Sequence, residues 1–398
     1  MPSKNSDAIE LQLSALLAAN RTSRRRFIGG GAAAAAALAL GGSFLAACSS
    51  DNKSATGTTS TQEGPASGKL RISNWPLYMA DGFVADFQKA TGLTVDYKED
   101  FNDNEEWFAK NKEPLSRKQD IGADLVVPTQ FMAARLIQLG WLSPISESRW
   151  TNKKNMRTDL LNAAADSGRK FTAPYMSGMV GLAYNHAGTG RDITKIDDLW
   201  DPAFKGKVSL LSDTQDGLGM IMLSQGNSPE KPATETVQKA VDLIKEQKDK
   251  GQIRRFTGND YADDLASGNV VIAQAYSGDV VQLQADNPDL KFVGPQQGGT
   301  WFVDTMTIPY TSQNQRAAEE WINYVYDRAN YAKLIAHTQY VPVLSNMTDE
   351  LNKIDPKLAA NPLINPPEST QGNLKSWPAL SDQQTQEFNT AYAAVTGA

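Results

Sequence analysis

The sequence predicts an α/β protein of two lobes, each built on an open parallel sheet. Short apolar strands alternate with stretches of helical spacing, which is the pattern of βαβ units. Two glycine-rich extended segments, residues 174–185 and 298–309, interrupt this alternation. The roughly 330 residues beyond the N-terminal region exceed one typical hydrophobic core, so these two segments are expected to connect two lobes.

The first lobe is predicted from repeated strands and helices. Residues 70–75 alternate apolar and polar side chains, as a strand does, and a helical stretch runs from Asp81 to a stop at Gly92. The pattern then repeats with a strand at 93–97, a helix around Trp107, a buried strand at 123–127 ended by Pro128, and a helix at 130–139 stopped by Gly140.

The second lobe is expected between the two glycine-rich segments. Its predicted elements are a helix at 196–200, a strand at 208–211, helices near Met220 and over 236–248, and a strand at 270–276. A helix at 315–326 is expected to pack in the first lobe after the chain returns. The expected boundaries are 69–180 plus 305–345 for lobe 1, and 181–304 plus 346–398 for lobe 2; no elements are predicted after Val343.

The N-terminal region has the features of an export signal. Residues 23–28 contain three arginines and resemble the twin-arginine motif, with Gly29 where that motif usually has lysine. An Ala/Gly-rich run then ends in Leu-Ala-Ala-Cys48, which resembles a bacterial lipoprotein signal and holds the chain's only cysteine. Residues 1–47 are therefore expected to be removed, Cys48 to carry lipid, and 48–68 to form a flexible tether. A permanent membrane anchor and a chance cysteine are the alternatives.

The charge balance argues against nucleic acid as a partner. The chain has 39 basic and 45 acidic residues, and loss of residues 1–47 leaves 34 against 43, a formal charge of about −9. Nucleic-acid binding requires clustered lysine and arginine. An acidic surface attracts cationic partners over long range, although ordinary solubilising charge explains the balance equally well.

Ligands of open α/β sheets bind beyond the carboxyl ends of strands, which here places the loops after Trp75, Val127 and Leu211 at the expected site. Four segments stand in the order and spacing of a known family: Asn74-Trp-Pro-Leu-Tyr78, Ala123-Asp-Leu-Val-Val-Pro128, Ile196-Asp-Asp-Leu-Trp200 with Phe204-Lys-Gly-Lys207, and residues 298–309. Over residues 69–343 the chain resembles the substrate-binding proteins of spermidine/putrescine ABC transporters. This resemblance implies a two-lobed type II periplasmic binding protein fold that closes on its ligand by a hinge, with the ligand in the inter-lobe cleft.

The resemblance also implies an aromatic wall. A polyamine is an alkyl chain with several ammonium groups, so its pocket requires aromatic faces along the methylenes and carboxylates at the nitrogens. The family's aromatic positions fall on Trp75, Tyr78, Phe131, Tyr276, Phe302 and Tyr340. Phe131 stands where the family often has tyrosine, and Tyr276 and Phe302 stand where it often has tryptophan. Trp75 as an ordinary core tryptophan is the alternative.

Three aspartates complete the expected site. Asp213 and Asp216 resemble the family's acidic pair at a terminal ammonium, and Asp304 resembles the acid at an inner or opposite nitrogen. From the residues alone, Ser212-x-x-Gln215 also matches a capping box, and aspartates in a helix's first turn are favoured by its dipole. A surface or turn position is the alternative for Asp304.

Three positions depart from the family pattern. Pro76 replaces a residue with a hydrogen-bonding side chain, Gly258 stands where serine is often found, and Pro378 falls where the tail often has glutamine. At least one polar contact to the ligand is therefore expected to be lost. Another organic cation or small solute is the alternative ligand.

The sequence offers little for catalysis. It has two histidines, His186 and His337, and neither a Gly-x-Ser-x-Gly elbow nor a Walker A loop. We therefore expect no enzyme activity, no cofactor and no metal site. A glycosidase that uses paired carboxylates and a structural lipoprotein without a ligand are the alternative classes.

The resemblance implies a transport role and its partners. A lipid-anchored monomer on the extracytoplasmic face of the bacterial membrane, periplasmic or at the cell surface, is expected to capture a polyamine and deliver it to ABC permease subunits. A cytoplasmic ATPase would drive import.

Overall fold

The computed structural model describes residues 64–163 and 165–397. In these residues ten strands form one sheet, and two further strands form a separate pair. In chain order the strands are β1 Lys69–Asn74, β2 Thr94–Glu99, β3 Leu125–Val126, β4 Asn162–Ala163, β5 Asp166–Ser167, β6 Thr172–Asn185, β7 Val208–Leu211, β8 Ile253–Thr257, β9 Ile272–Tyr276, β10 Leu290–Val293, β11 Gly299–Thr307 and β12 Leu374–Lys375.

The helices fall between these strands and include those that the sequence predicts. They are α1 Phe83–Thr91, α2 Asn104–Ser116, α3 Gln130–Gln138, α4 His186–Thr189, α5 Thr214–Ser224, α6 Thr234–Asp249, α7 Tyr261–Ala266, α8 Ser277–Leu283, α9 Gln315–Val325, α10 Arg328–Thr338, α11 Thr348–Ile354, α12 Pro356–Ala360, α13 Glu368–Gly372 and α14 Asp382–Thr396. Before residue 343, the sequence does not predict α4, α7, α8 and α10. Short 3-10 helices occupy Thr151–Asn155, Thr158–Leu160, Ile196–Trp200 and Pro202–Phe204.

Two sets of parallel strands make up the halves of the sheet. In the first half, β1 lies between β2 and β3 and is parallel to both. In the second half, β7 lies between β8 and β9 and is parallel to both. These sets confirm the strand and helix alternation predicted from the sequence.

The two glycine-rich segments are the strands β6 and β11, and they join the halves. They run antiparallel to each other. β11 also pairs with β3 of the first half, and β6 with β9 of the second. The parallel pairing predicted from the βαβ pattern holds within each half, whereas the junction is antiparallel because the chain crosses once in each direction.

Aromatic packing holds α9 against the first half. Trp321 is buried, and its ring meets Phe87 at 4.9 Å and Phe83 at 5.6 Å in edge-on contacts. The two phenylalanines are four residues apart and so share one face of α1. Removal of a buried ring of this kind costs about 3–5 kcal/mol, so this cluster is a main source of the first half's stability.

The segment after Val343, for which the sequence predicts no elements, is largely helical. α11 packs against α10, whereas α14 packs against α5 and α6 of the second half. The Oη of Tyr392 in α14 donates to the carbonyl of Leu211, the last residue of β7, at 2.6 Å. Gly217 of α5 permits this approach, because a Cβ there would lie 2.2 Å from the same hydroxyl.

Most of the N-terminal region lies outside the described residues. This applies to the expected signal at 1–47, to Cys48 and to the tether up to residue 63. The rest of the expected tether, residues 64–68, contacts the folded body: the carbonyl of Gly64 accepts from Arg316 Nε at 3.0 Å. Within the described part of the chain, no helix is both long and apolar enough to cross a bilayer.

Asp124 ties β1 to the loop before α9. Its buried carboxylate accepts from Arg71 Nε at 2.9 Å and Nη2 at 2.8 Å, and from the backbone N–H groups of Gln313 and Asn314. Burial would raise the pKa of this carboxyl, but the hydrogen bonds from Arg71 outweigh it and the pKa is lowered. The group is therefore ionised at neutral pH.

We expect Asp124→Ala to lower the free energy of unfolding by about 3–5 kcal/mol, because it removes the buried partner of a charged group. Urea denaturation at pH 7 measures this loss. Asp120→Ala removes the more exposed partner of the same Arg71 and is the matched control, with an expected cost of about 1 kcal/mol or less. Equal losses in the two variants would contradict this account of Asp124.

Candidate ligand site

The candidate site lies where the carboxyl ends of the parallel strands meet β11. Trp75 directly follows β1, Tyr276 ends β9, and Phe302 and Asp304 belong to β11. Seven side chains line a small cavity: Trp75, Tyr78, Thr129, Asn259, Tyr276, Phe302 and Asp304. Both halves of the sheet therefore contribute to one cavity.

Aromatic rings form most of the cavity wall. The ring centroids of Tyr276 and Phe302 are 5.2 Å apart, those of Phe302 and Tyr340 5.8 Å, and those of Tyr340 and Tyr78 5.3 Å, all in edge-on geometry. The four rings are thus in continuous contact. Such a wall suits both methylene groups and cations.

Trp75 is both a core tryptophan and a lining residue of the cavity, the two roles that the sequence left open. Its indole N–H donates to the carbonyl of Val127 at 2.6 Å, and its ring packs on Phe101 with centroids 4.6 Å apart. The side chain is buried and still lines the cavity. The residue is therefore a core tryptophan whose ring also faces the site.

Asp304 is the carboxylate that lines the cavity. Its Oδ2 accepts from Tyr78 Oη at 2.6 Å and its Oδ1 from Thr129 Oγ1 at 2.7 Å. A register irregularity in β11 directly follows it, as is common where a strand turns a side chain toward a site. Burial raises the pKa of Asp304 to about 7, although both hydroxyls oppose the rise.

Asp213 and Asp216 lie at the start of α5, behind the cavity. Asp213 accepts from the backbone N–H of Gln215 at 3.1 Å and from Asn104 Nδ2 of the first half at 3.0 Å. Asp216 accepts from Tyr276 Oη at 2.9 Å. Burial raises the pKa of Asp213 well above its usual value and that of Asp216 to about 6.

The capping box expected at Ser212 does not form. Asp213 is the N-cap residue of α5, whereas Ser212 Oγ donates to Asp103 Oδ2 at 2.8 Å. Asp213 follows β7 and its carboxylate reaches the first free N–H groups of the helix, so it displaces the serine. Asp213 therefore caps α5, and this role is compatible with the hypothesis that it also contacts the ligand.

Asp279 was not anticipated from the sequence. It is fully buried in α8 and accepts from Tyr261 Oη at 2.6 Å, Asn259 Nδ2 at 2.8 Å and Tyr340 Oη at 2.5 Å. Burial raises its pKa while these three donors lower it. Its signal in the sequence is an aspartate three residues after the strand end at Tyr276.

The nine residues expected from the sequence do not all occupy the same cavity. Trp75, Tyr78, Tyr276, Phe302 and Asp304 line it. Asp213, Asp216 and Tyr340 stand behind it, with Asp216 joined to the lining residue Tyr276 and Tyr340 to Asp279 by hydrogen bonds. Phe131 lies instead in a separate pocket with Trp377 and Pro378.

The site concentrates four buried carboxyl groups that have no basic partner. Asp213, Asp216, Asp279 and Asp304 are all buried, and in the described residues the side chains that donate to them are neutral, namely Asn104, Tyr276, Tyr261, Asn259, Tyr340, Tyr78 and Thr129. Buried carboxylates without a cation are costly. The arrangement therefore favours a positively charged ligand.

The site offers no catalytic histidine or metal centre in the part of the chain that the structure describes. No group of three or more metal-ligating side chains occurs there. His186 contacts Asp192 at 3.4 Å, where both side chains are substantially exposed, and neither His186 nor His337 lines the cavity.

Comparison with known proteins places the chain in a family. Residues 82–366 match the model of the bacterial extracellular solute-binding proteins, and the chain belongs to this family. It is 28% identical to spermidine/putrescine-binding periplasmic protein 1 of Haemophilus influenzae, over 73% of this chain and 79% of that protein. The family is one of solute binding and transport rather than of catalysis.

Solved structures show the same fold. The chain resembles the spermidine/putrescine ABC transporter substrate-binding protein PotD of Streptococcus pneumoniae, with a TM-score of 0.67 and 23% identity over 83% of this chain and 99% of that one. It also resembles the Tp0655 lipoprotein of Treponema pallidum, with a TM-score of 0.69 and 21% identity over 83% and 100%. The two-lobed type II periplasmic binding protein fold expected from the sequence is confirmed.

The raised carboxyl pKa values predict how stability depends on pH. The folded-state pKa of Asp304, about 7, lies above the usual value, so the ligand-free protein takes up a proton as the pH falls from 8 to 5 and gains about 2–3 kcal/mol from this group. Urea denaturation at both pH values measures the gain.

The Asp304→Asn variant should lose that gain, because an amide does not titrate. Asp289→Asn, which changes an exposed carboxyl, should retain it. A wild-type protein whose pH dependence equals that of Asp304→Asn would contradict the raised pKa.

Proposed function

We propose that this protein binds a polyamine such as spermidine or putrescine in the cavity and delivers it to an ABC permease for import. The observation that carries the proposal is the group of four buried carboxylates whose side-chain donors are all neutral. A ligand with two or three ammonium groups supplies the missing positive charge. The names of the relatives, which are spermidine/putrescine-binding proteins, support this ligand class.

Each part of the ligand has a partner in the cavity. An ammonium beside Asp304 makes charge-assisted hydrogen bonds, worth about 1.5–3 kcal/mol each. The methylenes lie along Trp75, Tyr276 and Phe302, where the same rings add cation-π attraction of about 0.5–2 kcal/mol. Asp213 and Asp216 attract a further ammonium from behind Tyr276. Another organic cation is the alternative ligand, since the same rings would accept it.

The proposal also covers the anchoring of the protein to the membrane and its transporter partners. The twin-arginine signal at 1–47 and the lipobox at Cys48 support export and lipid anchoring on the extracytoplasmic face of the membrane, and a lipoprotein among the structural relatives agrees with them. The protein acts as a monomer that docks on permease subunits coupled to a cytoplasmic ATPase. No cofactor takes part.

The boundaries of the proposed lobes fall within the crossing strands β6 and β11. Residues 69–180 with 305–345 form lobe 1, and most of the remainder forms lobe 2. The packing of α11 against α10 supports the transfer of residues 346–360 from lobe 2 to lobe 1, whereas that of α14 against α5 and α6 keeps the last helix with lobe 2.

Calorimetric titration of the purified full-length protein tests the proposal after carried-over ligand is removed by unfolding and refolding. Spermidine or putrescine should bind saturably. Asp304→Asn should weaken binding about 10- to 100-fold because it removes the charge that faces the ligand, and Trp75→Ala about 5- to 30-fold because it removes a cation-π face. Asp289→Asn is the surface control. A folded protein that binds no polyamine refutes the ligand assignment.

The affinity should rise with pH between 5 and 8. The pKa values of Asp216, about 6, and Asp304, about 7, mean that both carboxyls carry protons at pH 5, and a cation must displace these protons. Titrations in buffers of different ionisation enthalpy measure the protons released. Asp304→Asn should release fewer, and a pH-independent affinity without proton release would show that these groups do not meet the ligand.

A further inference from the structure

Asn259 differs from the other cavity residues because one of its polar atoms has no partner. Its side chain lines the cavity together with Tyr276 and Asp304 and is only 7% exposed. Its Oδ1 is buried, and none of the described residues donates a hydrogen bond to it. Buried polar atoms of folded proteins are nearly always paired, so a free acceptor in a ligand cavity indicates a donor that arrives with the ligand.

The orientation of this amide is fixed by Asp279. Asn259 Nδ2 donates to Asp279 Oδ2 at 2.8 Å, and Tyr261 Oη donates to the same oxygen at 2.6 Å. A carboxylate accepts hydrogen bonds and cannot donate them. The amide nitrogen must therefore face Asp279, and the carbonyl oxygen is left as the free group.

The preceding residue sets the position of Asn259. Gly258 lies against the first half of the sheet, where a Cβ would stand 2.2 Å from the carbonyl oxygen of Asn102 and 2.8 Å from its side chain. Backbone atoms cannot yield at that distance. The absence of a side chain at 258 thus allows the loop before α7 to approach the other half and to carry Asn259 to the cavity wall.

The aromatic rings alone do not select one kind of ammonium group. Cages of this type also bind quaternary ammonium ions through cation-π attraction, and a carboxylate attracts any cation. An amide carbonyl is different, because it is uncharged and binds a ligand chiefly by accepting a hydrogen bond, which on an amine ligand only an N–H can donate. A primary ammonium has three such hydrogens, which suffices for Asp304 and Asn259 together, whereas a quaternary ammonium has none.

We propose that Asn259 is a specificity-determining residue, whose Oδ1 accepts a hydrogen bond from the ligand's ammonium and thereby selects ligands that carry N–H groups over quaternary ammonium compounds. This inference rests on the proposed function, since it assigns a further contact in the same cavity.

The test compares putrescine with its fully N-methylated bis-quaternary analogue by calorimetry on the purified full-length protein. The wild type should bind putrescine at least about 10-fold more tightly than the analogue. Asn259→Ala should weaken putrescine about 10-fold and change the analogue by less than about 2-fold, so that selectivity falls. The control is Asn269→Ala, which alters an exposed asparagine just after α7 and should leave both affinities unchanged.

The outcomes separate the possible failures. If Asn259→Ala weakens both ligands equally, the residue acts only by supporting Asp279, and the inference is wrong while polyamine binding stands. If the wild type binds both ligands equally well, the inference also fails; this comparison needs no variant and holds even if Asn259→Ala does not fold. If the wild type binds neither ligand, the proposed function fails with it.

Discussion

The burial of four carboxylates without a basic partner is the constraint that organises the centre of this molecule. Each carboxylate is held by neutral donors: hydroxyls of tyrosine or threonine, amides of asparagine, and the free N–H groups at the start of α5. These donors offset only part of the desolvation cost. Burial of these groups therefore carries an electrostatic penalty at the cavity, and a cation that relieved it would stabilise the folded state by an amount that grows with the logarithm of its affinity.

The sheet topology distributes this charge between the halves. Asp304 belongs to a crossing strand and takes its hydrogen bonds from Tyr78 and Thr129 of the first half. Asp213, Asp216 and Asp279 all belong to the second half. Under the proposed function, a ligand with ammonium groups at both ends would connect the halves, which the hydrogen bond from Asn104 to Asp213 already joins.

The sequence predicts the parts of this arrangement that depend on local pattern. Strand and helix periodicity locates most of the longer elements up to residue 326, and the glycine-rich segments identify the crossings, whereas β8, β10, α7, α8 and α10 are not predicted. Periodicity carries no information on strand direction, so the antiparallel junction of β6 and β11 could not be predicted. The helices α11, α12 and α13 are short and separated by proline and asparagine, so they depend on tertiary packing for their stability.

The sequence also predicts only part of the candidate site. Residues within recognisable motifs, such as Trp75, Tyr78 and Asp304, come together as expected. Phe131 does not line the same cavity, because its helix faces the tail at Trp377. Asp279 and Asn259 belong to no motif, and their roles arise from contacts between separate elements: Tyr340, 61 residues further along the chain, reaches Asp279. Such long-range pairing cannot be deduced from neighbouring residues.

The hydrogen bond from Tyr392 to the carbonyl of Leu211 joins two parts of the chain that are synthesised at different times. It links two residues 181 positions apart, and Leu211 stands two residues before Asp213. During synthesis the strand end that carries this carboxylate is therefore made long before the helix that steadies it. A ribosome-bound chain that has reached α10 holds the four aspartates but lacks this support, so the strand end before Asp213 should reach its final packing only late in translation.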